Sequence, residues 1–149
     1  RGHTVDWVSG ACLAVRADLL REIGGLDAGY FMYYEDEELC LQTHRLGATV
    51  VYLPTVEVMH LGGRSTSDPA LVWPHLYRSM LRFHARHRPR TYQLVRATIL
   101  ARVILGVVLG VPRDALALAT GRSGRRSLAW GRIARVVLDG RPALRAEAS

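Results

Sequence analysis

Lysine is missing from these 149 residues, so every side-chain cation at neutral pH is an arginine. Cysteine occurs twice, at Cys12 and Cys40, with no Cys-x-x-Cys and no Cys/His cluster. That excludes a zinc finger or a disulfide scaffold and points to two reduced thiols in a cytosolic protein. Aromatic residues make up only 7% of the chain, and after Tyr92 Trp130 is the only one, too few to stack a run of nucleic-acid bases. No Asp-x-Asp occurs, and no glycine-rich phosphate loop. Alone, such a chain is not expected to hold a nucleotide tightly. No secretory signal is visible; residue 1 is Arg, and the missing start Met points to a piece of something longer. Long uncharged runs are missing from the second half too, where the longest, residues 103–112, has ten residues between Arg102 and Arg113. A membrane span needs roughly 20 mostly apolar residues, so that half is expected to lie on a membrane surface rather than to cross it.

What is present is sharply divided. The net charge of +7 conceals four Arg against nine Asp/Glu in residues 1–63, and sixteen Arg against four acids in residues 64–149. An apolar share of 49% provides for a core and excludes a wholly disordered chain. The division places a boundary near residue 67, with an acidic α/β module over 1–67 and an amphipathic, Arg-rich helical tail over 68–149. The basic part suits an anionic membrane surface, an acidic partner or nucleic acid. Arginines on ordinary solvated faces are the plain alternative.

Along the acidic module, residues 4–8 are β-prone and the small residues Ser9, Gly10 and Ala11 interrupt them. Residues 17–23 read as a short helix that Gly24-Gly25 stops. A turn over Leu26–Gly29 delivers the aromatic run Tyr30-Phe31-Met32-Tyr33-Tyr34. The centre of the module follows: Glu35-Asp36-Glu37-Glu38 at the start of a helix expected over 35–46, with Gly47 as its stop. Acids in a first turn are favoured by the helix dipole by about 0.3–1 kcal/mol each, but four in a row repel one another. Helix propensity therefore accounts for only part of the cluster. Residues 48–53 and 56–61 read as strands separated by Pro54, the second ending at His60. A lone His there is more often structural than a ligand. Residues 62–67, beginning Gly62-Gly63-Arg64-Ser65, read as a polar loop able to close over a ligand.

In the tail, Asp68-Pro69 supplies an N-cap and a proline at the first helical position. Val72, Trp73, Leu76, Tyr77, Met80 and Leu81 share one half of the following helix, with Arg78, Arg82 and Arg86 as a stripe on the other. Residues 91–111 and 127–138 are expected to be helical as well. In the last helix Trp130, Ile133, Ala134 and Val137 oppose Arg132, Arg135 and Asp139.

Five short patterns stand in order across the first module: Trp7-Val-Ser-Gly-Ala-Cys-Leu-Ala-Val-Arg16, Ile23-Gly-Gly-Leu-Asp27, Tyr30-Phe-Met-Tyr-Tyr-Glu-Asp-Glu-Glu-Leu-Cys40, then Pro54 with His60, and Gly62-Gly63-x-Ser65. Together they resemble the C-terminal half of the family 2 glycosyltransferases, especially rhamnosyltransferase-like members. The resemblance runs over residues 4–67 and reaches the tail only loosely. It implies the C-terminal part of a GT-A mixed sheet and transfer of a sugar from a nucleotide-sugar donor, with inversion, to a glycan or lipid-linked acceptor in cell-wall polysaccharide synthesis. On this resemblance Asp36 matches the general base and Glu35 helps shape the acceptor site. Trp7, Gly10 and Ala11 line the acceptor and donor-sugar pocket, and Gly62, Gly63, Arg64 and Ser65 lie near the diphosphate. His60 matches a ligand of Mg²⁺ or Mn²⁺, whose Asp-x-Asp half is absent. The implied location is cytoplasmic, at the inner face of the plasma membrane, without nucleic acid as partner. Leu26, Ala28, Glu38, Gln42 and Ala17 depart from the family's usual residues and leave acceptor identity open. Two other readings compete: a non-catalytic basic module for membrane or nucleic acid, and a metal-dependent hydrolase built on Glu35–Glu38. The hydrolase lacks a second His/Asp ligand cluster and ranks last.

Overall fold

The computed structural model describes residues 1–61, 68–120 and 126–139. The chain divides into two compact units, Arg1–Gly62 and Gly63–Ser149.

In the first unit, β1 (His3–Val5) and β2 (Val50–Tyr52) pair antiparallel, with Thr4 opposite Val51. Between them run a 3₁₀ turn (Gly10–Cys12), α1 (Ala17–Ile23) and α2 (Glu35–Arg45). The expected glycine stop of α1 forms: Gly24 and Gly25 both take positive φ, and their N–H groups bond the carbonyls of Arg21 and Leu20. The entry to α2 is unusual, because Tyr33 and Tyr34 also take positive φ, at 66° and 69°. Tyr34 sits at the N-cap without a capping side chain. The first-turn N–H groups thus receive no acceptor from the N-cap side chain, and the four carboxylates stand where the helix dipole favours negative charge.

Two expectations about this sheet are corrected. The β-prone stretch 4–8 yields strand only as far as Val5. Residues 56–61 form no strand, since no described segment offers them a ladder partner. Pro54 and Thr55 turn the chain, the Val56 N–H bonds Leu53, and the following apolar side chains remain exposed, Met59 at 87%. The described sheet has two antiparallel strands rather than a mixed set. Its buried apolar residues are few: Tyr30, Leu39, Cys40 and Val50.

The second unit is three helices, α3 (Pro69–His87), α4 (Pro89–Ala119) and α5 (Arg126–Asp139). The Asp68 cap of α3 is present, its carboxylate accepting from Ala70 N. Leu81, Ile99, Val103, Trp130, Ile133 and Val137 form the core, with Trp73 tilted against Trp130 at 5.2 Å between ring centres. Gly106 has no side chain because the Trp130 ring lies on its backbone; a Cβ there would come within 2.2 Å of the ring.

Helix α4 departs from the expected span. It does not stop at Val111 but continues through Pro112 to Ala119. A proline removes one helical hydrogen bond, and the turns on either side of it carry the helix on. The Arg stripe of α3 is corrected as well, since Arg82 is buried while Arg78 and Arg86 are exposed.

Some arginines hold the bundle together. Pro74 has no N–H to give Ala70, four residues back in α3, and Arg132 of α5 donates to that carbonyl instead, at 2.9 Å. Arg96 donates to Val137 in the last turn of α5, at 3.1 Å. Arg102 donates to the Tyr77 hydroxyl and lies over the Trp130 ring.

Candidate active site

The centre of the first unit is a contact between two stretches far apart in sequence. The 3₁₀ turn at Gly10–Cys12 is capped by Ser9, whose hydroxyl accepts from Ala11 N. That geometry leaves the Gly10 N–H directed at α2, where it donates to Asp36 Oδ2 at 2.7 Å. The other oxygen, Oδ1, accepts from Glu37 N at 3.1 Å. His44, two turns further along α2, donates from Nε2 to Asp6 O at 3.0 Å. Helix α2 is thereby tied at both ends to the stretch containing Trp7.

The four acids divide by environment. Glu38 is 3% exposed and accepts from Tyr30 Oη at 3.0 Å and from Gln42 Nε2 at 2.8 Å. It fastens the aromatic turn to α2. Glu35 and Glu37 are half-buried, and one carboxylate oxygen of each is enclosed with no hydrogen-bond partner among the described residues. Burial, followed by the hydrogen bond to Asp36 and the charge of that neighbour, pushes Glu37 up to about 7. At Asp36 burial acts upward, but hydrogen bonds from Glu37 and from backbone N–H groups, Gly10 among them, outweigh it and hold the carboxyl below its ordinary value. Of the two carboxyls, Glu37 is therefore the one that favours a proton and Asp36 the one that favours the anion.

Beside the turn opens a cleft of about 680 Å³. Trp7, Ala11 and His60 line it, with Val5, Val56 and Val58. Three residues singled out from sequence thus share one cleft, and Gly10 connects its turn to Asp36. Neither Glu35 nor Asp36 lines the cleft, and Asp36 reaches its turn through the Gly10 N–H. Gly62, Gly63, Arg64 and Ser65 lie outside the described residues. Ser9, the Asp36–Glu37 pair and the Tyr30–Glu38–Gln42 network are additional. The Glu-Asp-Glu-Glu run signals their neighbourhood but not which acid turns inward.

His60 is exposed, and no three His, Cys, Asp or Glu side chains gather among the described residues in a way that could hold a metal ion. These residues alone do not fit a divalent cation, which calls for six or more oxygen-type ligands. Cys12 is exposed and Cys40 buried, both as free thiols. Burial pushes the Cys40 thiol up, against a hydrogen bond with the Val8 backbone.

With helix, turn and cleft arranged in this way, the class is set by sequence: residues 1–82 match the profile of glycosyltransferase-like family 2, and the chain belongs to that family. The membership carries a GT-A type of α/β domain. Among its relatives, the N-acetylglucosaminyl-diphospho-decaprenol L-rhamnosyltransferase of Mycobacterium tuberculosis is 45% identical over 67 residues, 44% of this chain and 22% of that protein. The rhamnosyltransferase WbbL of Escherichia coli K12 is 38% identical over 87 residues, 56% and 32% of the two chains. The low-salt glycan biosynthesis hexosyltransferase Agl10 of Haloferax volcanii is 30% identical over 56 residues, 38% and 18%. The chain therefore spans less than a third of the length of these relatives. No solved structure matches it.

Proposed function

We propose that this chain is the acceptor-side, base-supplying part of an inverting glycosyltransferase. It transfers a hexose or deoxyhexose such as rhamnose from a nucleotide-sugar donor to a hydroxyl of a glycan or lipid-linked acceptor, as the names of its relatives suggest. The observation that carries this reading is the Gly10 N–H bond to Asp36, which ties a carboxylate to the turn of the Trp7 cleft in a chain of this family.

The chemistry is one displacement. The acceptor oxygen forms its bond to the anomeric carbon as the bond from that carbon to the nucleotide diphosphate breaks, and the acceptor proton passes to Asp36. One base on the face opposite the leaving group suffices. The hydrogen bonds that hold Asp36 ionised keep it ready to accept that proton, and Glu37 keeps the neighbouring proton in reserve. Trp7, 51% exposed beside the cleft, offers an aromatic face for a sugar ring of the acceptor. Glu35, which precedes Asp36 at the start of α2, would act on the acceptor only from outside this cleft. Gly62, Gly63, Arg64 and Ser65 would approach the diphosphate. His60 would contribute one ligand to a Mg²⁺ or Mn²⁺ that offsets diphosphate charge, with the other ligands and the nucleotide site supplied by residues outside this sequence. Alone, the 149 residues are then inactive.

The test is transfer by the product of the complete reading frame, with a polyprenyl-diphosphate-linked sugar as acceptor and the product followed by NMR. A product whose anomeric configuration is opposite to the donor's is expected. Retained configuration, or no transfer from any nucleotide sugar, contradicts the reading. Trp7→Ala is expected to raise the acceptor KM about tenfold, worth roughly 1.4 kcal/mol, with a smaller effect on kcat. An unchanged KM removes Trp7 from the acceptor site.

A further inference from the structure

Only one side of α4 is used inside the helical unit. By length and composition the helix could cross a membrane: its most apolar window has mean hydropathy 2.1, and only 17% of that window is buried. One side of it, facing α3 and α5, carries Ile99 and Val103 into the core. The opposite side is apolar and open. At 100° per residue, Leu94, Ile104, Leu105, Val108, Pro112 and Leu116 fall on that side, and all are exposed, Ile104 at 64% and Leu116 at 68%. No charged residue interrupts it from Leu94 to Ala119. Thr98, the one hydroxyl on it, donates to the Leu94 carbonyl at 2.9 Å and leaves no unsatisfied donor. From Leu94 to Leu116 the stripe runs about 33 Å at helical rise. Ordinary monomers seldom expose more than about 300–600 Å² of continuous apolar surface.

The charges are placed around this stripe. Arg90 stands at its start, while Arg102 and Arg113 flank one edge, all three exposed. Arg96 and Asp114 lie on the side turned away from it. Asp114 accepts from the Ser127 N–H and hydroxyl, and Arg96 bonds α5. A spanning helix would carry these groups, with the arginines of α3 and α5, into hydrocarbon. A helix lying flat keeps them all in water or at the headgroups. A surface rimmed by arginine without a compensating acid selects negative headgroups.

We propose that the open face of α4 is a membrane-docking surface that lies in the plane of an anionic bilayer, its apolar stripe among the acyl chains and Arg90 and Arg113 on lipid phosphates. The surface belongs to the helical unit and stands whether or not the first unit transfers sugar.

Flotation of the 149-residue chain with phosphatidylcholine vesicles, with and without phosphatidylglycerol, tests this. The chain is expected to float with the anionic vesicles and to bind about tenfold more weakly without phosphatidylglycerol. The triple substitution Ile104→Asp, Val108→Asp and Leu116→Asp is expected to leave the protein in the aqueous fraction. Its thermal transition should be unchanged, since the three sites are exposed. Should the triple variant fail to fold, Arg90→Gln with Arg113→Gln decides, and it is expected to lose the preference for phosphatidylglycerol. Failure of the wild type to float overturns the proposal, as does flotation of a folded triple variant or an Arg variant that keeps full preference. A discrete dimer that the triple variant abolishes, without vesicle binding, assigns the face to a second copy and also overturns it. Release by high salt and alkaline carbonate is expected for a helix in the plane. Retention under both means that α4 spans, which refutes this geometry.

Discussion

Gly10 and Asp36 lie 26 residues apart in sequence, and their meeting is one of the contacts that hold Asp36 below its ordinary pKa. Small size is not what Gly10 contributes. A Cβ there would touch Asp36 at an ordinary 3.6 Å, and its φ is not in the left-handed region. Gly10→Ala is therefore expected to change stability by less than about 1 kcal/mol, as read from the urea midpoint, because the N–H is retained. The Asp36–Glu37 pair makes a prediction about pH. The Glu37 pKa lies above its unfolded value of 4.5, at about 7, because burial and the bond to Asp36 favour the neutral acid. Below 4.5 that contribution is complete. As pH rises toward 7, the unfolded chain releases the proton while the folded chain keeps it, so stability falls across that window. Hydrogen exchange at the α2 amides should quicken from pH 4.5 to 7 beyond the intrinsic rate change, and Glu37→Gln should remove the excess. A wild type without that excess would show that Glu37 is not the carboxyl that favours the proton. Sequence alone exposes the acid run but not this division of labour, since adjacency says nothing of which carboxylate a distant turn will meet.

At the scale of elements, local signals were legible wherever a few neighbours decide the backbone. Gly24-Gly25 ends α1 by taking positive φ, and Asp68-Pro69 opens α3 by capping and by proline geometry. Residues 56–61 show the opposite case. Alternating apolar residues make a strand only when a ladder partner is present, and none is found among the described residues. The expected helix over 91–111 stops short of Pro112, and α4 runs on through it, because a helix through proline depends on what replaces the lost bond. For Pro74 the replacement is visible in Arg132, which donates to the Ala70 carbonyl. Arg132→Ala is accordingly expected to destabilise the helical unit by about 1–3 kcal/mol, the cost of a buried carbonyl left without a partner. Gly106→Ala should cost about 1–3 kcal/mol or more, because the added methyl meets the Trp130 ring. The near-ultraviolet signal of Trp130 reports that displacement; an unchanged spectrum and melting temperature would refute the packing.

For the whole molecule, the two units differ in what holds them. The helical unit has a continuous core from all three helices, while the first unit buries few apolar residues and exposes Val51, Leu53, Val56 and Val58 beside its cleft. Amide exchange in the 149-residue chain should therefore be at least about tenfold slower in α4 and α5 than in α1 and β2. The charge boundary and the order of the five motifs were readable without coordinates, as charge and spacing are written along the chain. The open face of α4 was not, because exposure is a property of packing. The most direct measurement of the central claim is the single-turnover rate of Asp36→Asn in the product of the complete reading frame, beside wild type, with acceptor saturating. Loss of about 10²–10⁴ in rate, with unchanged circular dichroism and acceptor affinity, is the result expected of a base at Asp36. Near-normal turnover would contradict it.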